Sequence, residues 1–235
     1  MFRCPSVRFV RRLLANYKER AKHEVPIYYI TDKIQVLVTA MINSEPLMLQ
    51  TFPSSEGWPF PAYIGACGRF IVVENCGQSL KNLYNAPIEK RADIAYQVLK
   101  IAEILTDNPH GYAIYWTELK ANDFVVDKYG QVKFVDLNNV VVVDRESFVN
   151  ENKNNFMETY EAKFLIYDEV VPPTPYKELC GHARSDWNIY MACRYILSGS
   201  AIDPVIPGGL LHDIVSKLDS DTQNEIRIHQ LRIKN

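Results

Sequence analysis

Two stretches in the middle of the chain decide the fold: residues 116–124 read WTELKANDF, and residues 132–138 read VKFVDLN. Between them, residues 127–130 read DKYG, a turn sequence with glycine where a left-handed backbone is often needed. The pattern predicts a hairpin of two short strands, 125–126 and 131–135. The outer ends of such a hairpin lie next to each other, so the side chains that flank it are brought together.

Three acidic residues flank this hairpin. Asp123 comes just before the first strand, Asp136 ends the second, and Glu118 lies a few residues upstream. Two carboxylates that converge at a strand end suit a hard cation, because Mg²⁺ takes oxygen ligands from one or two carboxylates together with phosphates. We therefore predict Asp123 and Asp136 as metal ligands. The structural alternative is an edge hairpin with solvated acidic ends.

The spacing of these residues resembles the catalytic and metal loops of protein kinases, where H-R-D-L-x-x-x-N is followed by a hairpin and D-F-G. The resemblance makes Glu118 the catalytic base and Lys120 the catalytic-loop lysine. It places Asp123 at the metal-binding asparagine and Asp136 at the metal-binding aspartate. The chain departs from the pattern in having WTE for HRD, aspartate for asparagine, and DLN for DFG.

Composition and charge exclude several classes of function. The chain has 235 residues and a formal net charge of -2, so no basic field favours nucleic acid. No apolar run approaches the roughly 20 residues that a membrane-spanning helix needs, so we expect no transmembrane segment. The first residues lack the apolar core of a secretory signal peptide, so none is visible in this chain.

Hydrophobic periodicity predicts five helices and a second hairpin. The hairpin covers 62–76, and a polar stretch over 144–175 is predicted to be a long loop. The predicted helices are 6–23, 32–43 (where a strand is the alternative), 88–107, 186–198 and 210–233.

The order of these elements is that of the hinge and large lobe of a kinase. Residues 72–77 (VVENCG) take the place of the hinge, so the resemblance implies that Glu74 and Cys76 bind the adenine of a nucleotide through their backbone groups. Asp186 takes the place of the aspartate that holds the catalytic loop, and capping of the helix that follows is a compatible role.

Several further stretches resemble one family, the divergent protein kinase domain 2 or "deleted in autism" proteins. The stretches are PLMLQ at 46–50, EGWPF at 56–60, YIGACGR at 63–69, NAPIEKR at 85–91 and GGLLHD at 208–213. The resemblance implies an α+β, protein-kinase-like fold, with a mostly helical C-terminal lobe and an incomplete, β-containing N-terminal lobe. It also implies a Golgi or secreted protein.

The resemblance divides the chain after the hinge. Residues 1–76 are expected to form a partial N-terminal lobe, and residues 77–235 the kinase-like C-terminal lobe. No glycine precedes Gly57, so residues 1–56 hold no Gly-rich phosphate loop. Lys33 is the candidate for a phosphate-pairing lysine, with a solvated helix-start lysine as the alternative. We expect the chain to be shorter at the N-terminus than other members of the family.

Three functions follow as hypotheses. The first is a weak or inactive pseudokinase of the secretory pathway that acts as a binding or signalling module for a protein partner. The second is an active protein kinase, in a full-length form, that transfers phosphate from ATP to protein hydroxyls with Mg²⁺ or Mn²⁺. The third is a structural partner that has only the fold and binds no cofactor.

The five cysteines have no C-x-x-C spacing, which argues against a zinc or thioredoxin-like site. A hairpin turn at 68–69 places Cys67 opposite Phe70, so a disulfide between Cys67 and Cys76 is not expected. A disulfide between Cys180 and Cys193 is one alternative, and two buried reduced thiols are the other.

Overall fold

The computed structural model describes seven stretches of the chain. They are residues 3–4, 6–20, 30–67, 70–146, 158–162, 174–198 and 209–211. Most of the predicted tail helix over 210–233 and most of the predicted loop over 144–175 lie outside them, and the described residues 210–211 form a turn.

Helices form where the apolar periodicity predicted them. The described residues contain α1 (Val7–Arg20), α2 (Ile30–Ile42), α3 (Glu45–Thr51), α4 (Ile88–Thr106), α5 (Tyr176–Gly181) and α6 (Trp187–Ala192), which continues as a π-helical turn (Cys193–Leu197). Helix α2 settles the choice between helix and strand for this segment. Among the described helices, α4 is the longest, and it buries its apolar face in the core. The sequence does not predict α3 and α5.

The strands are short and form small sheets. They are β1 (Tyr63–Cys67), β2 (Phe70–Val73), β3 (Gln78–Ser79), β4 (Tyr112–Trp116), β5 (Phe124–Val126), β6 (Val132–Phe134), β7 (Val140–Asp144), β8 (Thr159–Tyr160) and β9 (Arg184–Ser185). In the part of the chain that the structure describes, the sheets have the orders β1-β2, β3-β5-β6, β4-β7 and β8-β9, and only the last pair is parallel.

Both predicted hairpins are confirmed. In the first, Cys67 lies opposite Phe70. In the second, Phe124 lies opposite Phe134, and Gly130 has a φ of +85°, as the turn chemistry predicts.

One buried cluster of apolar side chains runs from α1 to α6. Aromatic pairs lie within it: the ring centroids of Phe52 and Tyr112 are 5.6 Å apart, and those of Trp116 and Phe134 are 5.5 Å apart. Residues on both sides of position 76 therefore share a core, and the predicted lobe boundary stays a prediction.

Polar contacts also connect α1 to the end of β7. The buried carboxylate of Asp144 accepts hydrogen bonds from Ser6 Oγ at 2.6 Å and Arg8 Nε at 2.8 Å. Burial alone would raise the pKa of Asp144, but the hydrogen bonds from Arg8 and Ser6 outweigh it and hold the pKa below its usual value. This network joins the first helix to the paired strands β4 and β7.

A disulfide joins Cys4 to Cys180, with their α-carbons 5.3 Å apart. The predicted alternative of a bond between Cys180 and Cys193 is wrong, because Cys180 is bonded to Cys4 of the N-terminal segment. Cys67, Cys76 and Cys193 are free thiols.

An apolar groove of about 490 Å³ lies between α1 and α2. Val10, Leu14, Val36 and Leu37 are among the residues that line it. None of its lining residues belongs to the acidic group around the second hairpin, so the groove is separate from the candidate site described next.

Candidate functional site

A single 3₁₀ turn (Ala121–Asp123) positions Asp123 at the start of β5. The side chain folds back on this turn, and its Oδ2 accepts a hydrogen bond of 2.6 Å from the backbone N–H of Lys120. The backbone carbonyl of Asp123 accepts a second bond of 2.8 Å from the N–H of Val135. The two outer ends of the hairpin are therefore joined directly, and Asp136 is the next residue along the chain.

The carboxylate of Asp136 is held by the residues that follow it. The backbone N–H of Asn138 donates to Oδ1 at 3.0 Å, and the side-chain amide of Asn139 donates to Oδ2 at 2.8 Å. Each oxygen keeps a further lone pair, so these bonds orient the carboxylate without using up its capacity as a ligand.

Asp123 is the buried member of the acidic group, with 8% of its surface exposed. Its pKa is raised to about 6, mainly by burial. The charges of Asp136 and Glu118 contribute to this rise in pKa, and the hydrogen bond from the Lys120 N–H opposes it. This coupling of charges means that the structure brings the predicted catalytic and metal residues into one neighbourhood.

Glu118 and Lys120 form an ion pair with each other at the rim of this neighbourhood. About half of the Glu118 side chain and 64% of the Lys120 side chain are exposed. The hydrogen bond to Glu118 is the main cause that raises the pKa of Lys120. In this state the predicted base is engaged by its own neighbouring lysine, and both groups can be reached from solvent.

Glu45 is a further carboxylate near the site that the sequence did not reveal. It occupies the first turn of α3, and its pKa is raised first by burial and then by the charge of Asp136. The residues Ser44, Glu45 and Pro46 are typical of a helix start, which could have indicated α3 but not its position beside Asp136.

Cation binding at this site would depend on ligands from outside the chain. Within the described ranges, no group of three or more His, Cys, Asp or Glu side chains is spaced to hold a metal ion. Mg²⁺ needs only one or two carboxylates when phosphate oxygens and water complete its shell. Oδ1 of Asp123 accepts no hydrogen bond from the described residues, so it is available. The assignment of Asp123 and Asp136 as ligands stays a prediction.

The predicted hinge leads from β2 into β3. The N–H of Glu74 donates to the carbonyl of Ala62, and its carboxylate accepts a hydrogen bond of 2.7 Å from Lys133. The hydrogen bond from Lys133 is the main cause that lowers the pKa of Glu74. Cys76 is buried, and its thiol lies 3.5 Å from the carbonyl of Glu74. Adenine binding by Glu74 and Cys76 stays a prediction.

The strand that leads into Glu118 has an unusual second edge. One edge of β4 pairs with β7, whereas side chains bond to the other edge in place of a strand. Asn108 donates to the carbonyl of Tyr112 at 2.7 Å, and the indole N–H of Trp187 donates to the carbonyl of Trp116 at 2.7 Å. Asn188 also bonds to this edge: its side-chain oxygen accepts from the N–H of Trp116 at 3.0 Å, and its amide donates to the carbonyl of Ile114 at 2.8 Å.

Asp186 does not hold the catalytic loop, and this prediction is corrected. Its Oδ1 accepts a hydrogen bond of 2.7 Å from the N–H of Ala162, beyond β8, and its side chain makes no capping bond to α6. The loop is held instead by the next two residues of α6, Trp187 and Asn188. The sequence missed them because a tryptophan and an asparagine in a helix are usually assigned to packing and to the surface.

Replacement of Asp123 by asparagine tests its burial. Because the folded pKa is about 6 and the ordinary value is 3.8, folding disfavours the charged form. The raised pKa therefore lowers the free energy of unfolding. This loss of stability develops as the pH rises from about 4 to 6, persists above 6, and is absent below 4. We therefore expect Asp123→Asn to be more stable than the wild type at pH 8, by on the order of 2–3 kcal/mol in urea unfolding without metal.

The advantage of Asp123→Asn should shrink as the pH falls below 6. Asp136→Asn serves as the comparison, because removal of its charge should lower the pKa of Asp123 in an NMR titration. If Asp123→Asn is no more stable than the wild type at pH 8, the carboxylate is not desolvated as described.

The fold and this site together define a protein-kinase-like domain, with helices and small sheets and an incomplete small lobe. Residues 37–228 match the family described as the protein-kinase domain of FAM69. The chain belongs to this family of divergent protein kinases. This confirms the resemblance found in the sequence.

The relatives are named Divergent protein kinase domain 2A and 2B. The 2A protein of Xenopus tropicalis is 39% identical over 227 residues, which cover 94% of this chain and 53% of the relative, and the Homo sapiens 2A protein gives the same figures. The Homo sapiens 2B protein is 37% identical over 165 residues, covering 66% of this chain and 38% of the relative. The chain thus spans about half the length of the 2A relatives that it matches.

Proposed function

We propose that this chain is part of a divergent protein-kinase-like protein of the secretory pathway that acts as a binding or signalling module, with weak or no phosphotransfer. Its partner is another protein. The observation that carries the proposal is the acidic neighbourhood of Asp123 and Asp136, with the pair of Glu118 and Lys120 at its rim. In the described ranges, no helix is long and apolar enough to span a membrane.

The acidic neighbourhood supports binding of a nucleotide with Mg²⁺ or Mn²⁺. Asp123 and Asp136 would hold the cation, and Lys120 carries a positive charge that can meet a phosphate once it leaves Glu118. Such a cation would neutralise phosphate charge, which phosphoryl transfer needs in addition to positioning. The hinge at Glu74 and Cys76 would accept the base of the nucleotide.

Two features support weak catalysis. Glu118 is one methylene longer than the aspartate of the kinase pattern, which shifts the carboxylate by roughly 1 Å, and a misplacement of that size can cost ~100-fold in rate. Asp123 in place of asparagine adds a negative charge, which favours a cation but opposes the phosphates. The bond between Glu118 and Lys120 must also open before either group can act.

The disulfide between Cys4 and Cys180 supports a secretory location. Disulfides form and persist in oxidising compartments and are rare in the cytosol. The bond closes a large loop, with 176 residues of sequence separation between its ends, and Cys4 is buried. A protein recovered from cells with both thiols free to alkylating reagents would argue against this location.

Thermal shift tests the binding site. We expect ATP with Mn²⁺ to raise the melting temperature of the wild type, by about 5 °C at a hundredfold excess over Kd, because a ligand that binds only the folded state stabilises it. Asp136→Ala should abolish the shift. Asp127→Ala is the matched control, since this carboxylate caps the far turn of the same hairpin and should leave the shift intact.

If neither nucleotide nor Mn²⁺ changes the melting temperature of the wild type, the binding proposal fails. The structural hypothesis, a fold without a nucleotide site, would then replace it.

An active kinase is the second candidate, and the retained Lys120 and Asp136 favour it. In that case Glu118 takes the proton of a protein hydroxyl. Phosphate incorporation into a protein substrate that is lost in Glu118→Ala, with the ATP-dependent thermal shift retained, would establish activity. Incorporation that persists in Glu118→Ala would exclude Glu118 as the base.

A further inference from the structure

Asn138 connects the predicted metal loop to the start of α3. Its side-chain oxygen accepts hydrogen bonds from the N–H of Ser44 at 3.1 Å, the N–H of Glu45 at 3.2 Å and the hydroxyl of Ser44 at 3.3 Å. The hydroxyl of Ser44 also lies 3.3 Å from the carbonyl of Leu137. Four polar contacts thus join two segments that are more than 90 residues apart in the sequence.

The same residue also contacts the carboxylate of Asp136. While the Asn138 side chain bonds to α3, its backbone N–H donates to Asp136 Oδ1 at 3.0 Å. Asn138 is therefore bonded on one side to the predicted ligand and on the other to a helix.

Helix α3, to which Asn138 bonds, is fixed by burial and by a hydrogen bond to α1. Its residues from Leu47 to Thr51 are buried, and its last carbonyl, that of Thr51, accepts a hydrogen bond of 3.1 Å from Arg12 on α1. Ser44 is itself buried and its side chain makes no capping bond within α3. The N–H groups of the first turn therefore depend on acceptors from elsewhere, and Asn138 supplies one.

We propose that Asn138 is a positioning residue, which fixes the carboxylate of Asp136 by bonding the metal loop to α3. The kinase pattern has glycine at this place, and glycine has no side chain to make this contact. The change of DFG to DLN thus adds a fixed connection in place of a flexible residue. The effect on cation binding rests on the proposed function, whereas the connection itself does not.

Hydrogen exchange without metal tests the connection. Asn138→Ala should speed amide exchange both at residues 44–45 and at residues 137–139, by about tenfold or more, because both segments lose their common partner. Asn43→Ala is the matched control: Asn43 also accepts from the N–H of Glu45, at 3.0 Å, but has no bond to the metal loop. It should speed exchange at residues 44–45 only.

Asn138→Asp keeps an acceptor oxygen in place, so it should retain slow exchange in both segments. It therefore distinguishes loss of the hydrogen bonds from general misfolding of the variant. If Asn138→Ala behaves like Asn43→Ala and leaves residues 137–139 unchanged, Asn138 is only a helix cap and the proposal is overturned.

Titration with Mn²⁺ alone then tests whether Asn138 affects cation binding by Asp136. We expect the Kd for Mn²⁺ to rise about 10-fold or more in Asn138→Ala, as for the loss of other groups that orient metal ligands, and to change less than about twofold in Asn43→Ala. Equal weakening in both variants would refute a positioning role. If the wild type binds no Mn²⁺, the proposed cation site fails, and the exchange experiment still decides whether Asn138 joins the two segments.

Discussion

Asn188→Ala should destabilise the protein by about 3–5 kcal/mol in urea unfolding. Asn188 is fully buried, and its amide makes three hydrogen bonds. It accepts from the N–H of Trp116 and donates to the carbonyl of Ile114 and to the hydroxyl of Thr106. Alanine leaves two backbone groups of a buried strand without partners and creates a cavity, and each unsatisfied group costs about 1–3 kcal/mol.

The loss should also reach the candidate site, because Trp116 lies two residues before Glu118. We expect Asn188→Ala to weaken any Mn²⁺ binding, even though the residue is not a ligand. Asn122→Ala is the control: Asn122 is exposed and has one hydrogen bond, from Ser79, so its loss should cost less than ~0.5 kcal/mol. A similar small cost for Asn188→Ala would show that β4 does not depend on this side chain.

The parts of the fold that local chemistry determines could be predicted from the sequence. The turn with Gly130 and the periodic apolar face of α4 are each encoded by residues a few positions apart. The convergence of Asp123 with Asp136 follows from the same turn, since a hairpin must join its outer ends. Because the hairpin fixes their spacing, the kinase pattern could be recognised despite its substitutions. Its four residues are Glu118, Lys120, Asp123 and Asp136.

Contacts between distant segments could not be predicted in this way. Strands β4 and β7 are buried along their whole length, so they lack the alternation that marks a half-buried strand, and the second hairpin separates them in sequence. The partner of Cys180 lies 176 residues away, and spacing alone cannot select it among five cysteines. The bond from Asn138 to α3 could not be predicted either, because the sequence around a short polar side chain does not identify its hydrogen-bond partner.

Gly77→Ala should strongly destabilise the protein, with a loss of about 3–5 kcal/mol in urea unfolding. Gly77 is the last residue of the predicted hinge and has a φ of +99°, a conformation that L-residues rarely adopt. A Cβ at this position would lie 2.1 Å from the carbonyl oxygen of Val126 and 2.6 Å from the Cα of Asp127. Both are backbone atoms at the end of β5, so a side-chain rotation cannot relieve the overlap.

Gly130→Ala separates the strain of a positive φ from the overlap of the added Cβ with other backbone atoms. Gly130 has a similar φ of +85°, but no atom lies within 4 Å of an added Cβ. Its substitution should cost only the backbone strain, about 1–2 kcal/mol, and the difference between the variants measures the overlap with β5. Because β3 pairs with β5 directly after Gly77, the overlap must move the hinge away from the hairpin that carries Asp123. Equal losses for the two variants would mean that the hinge and this hairpin are not in close contact.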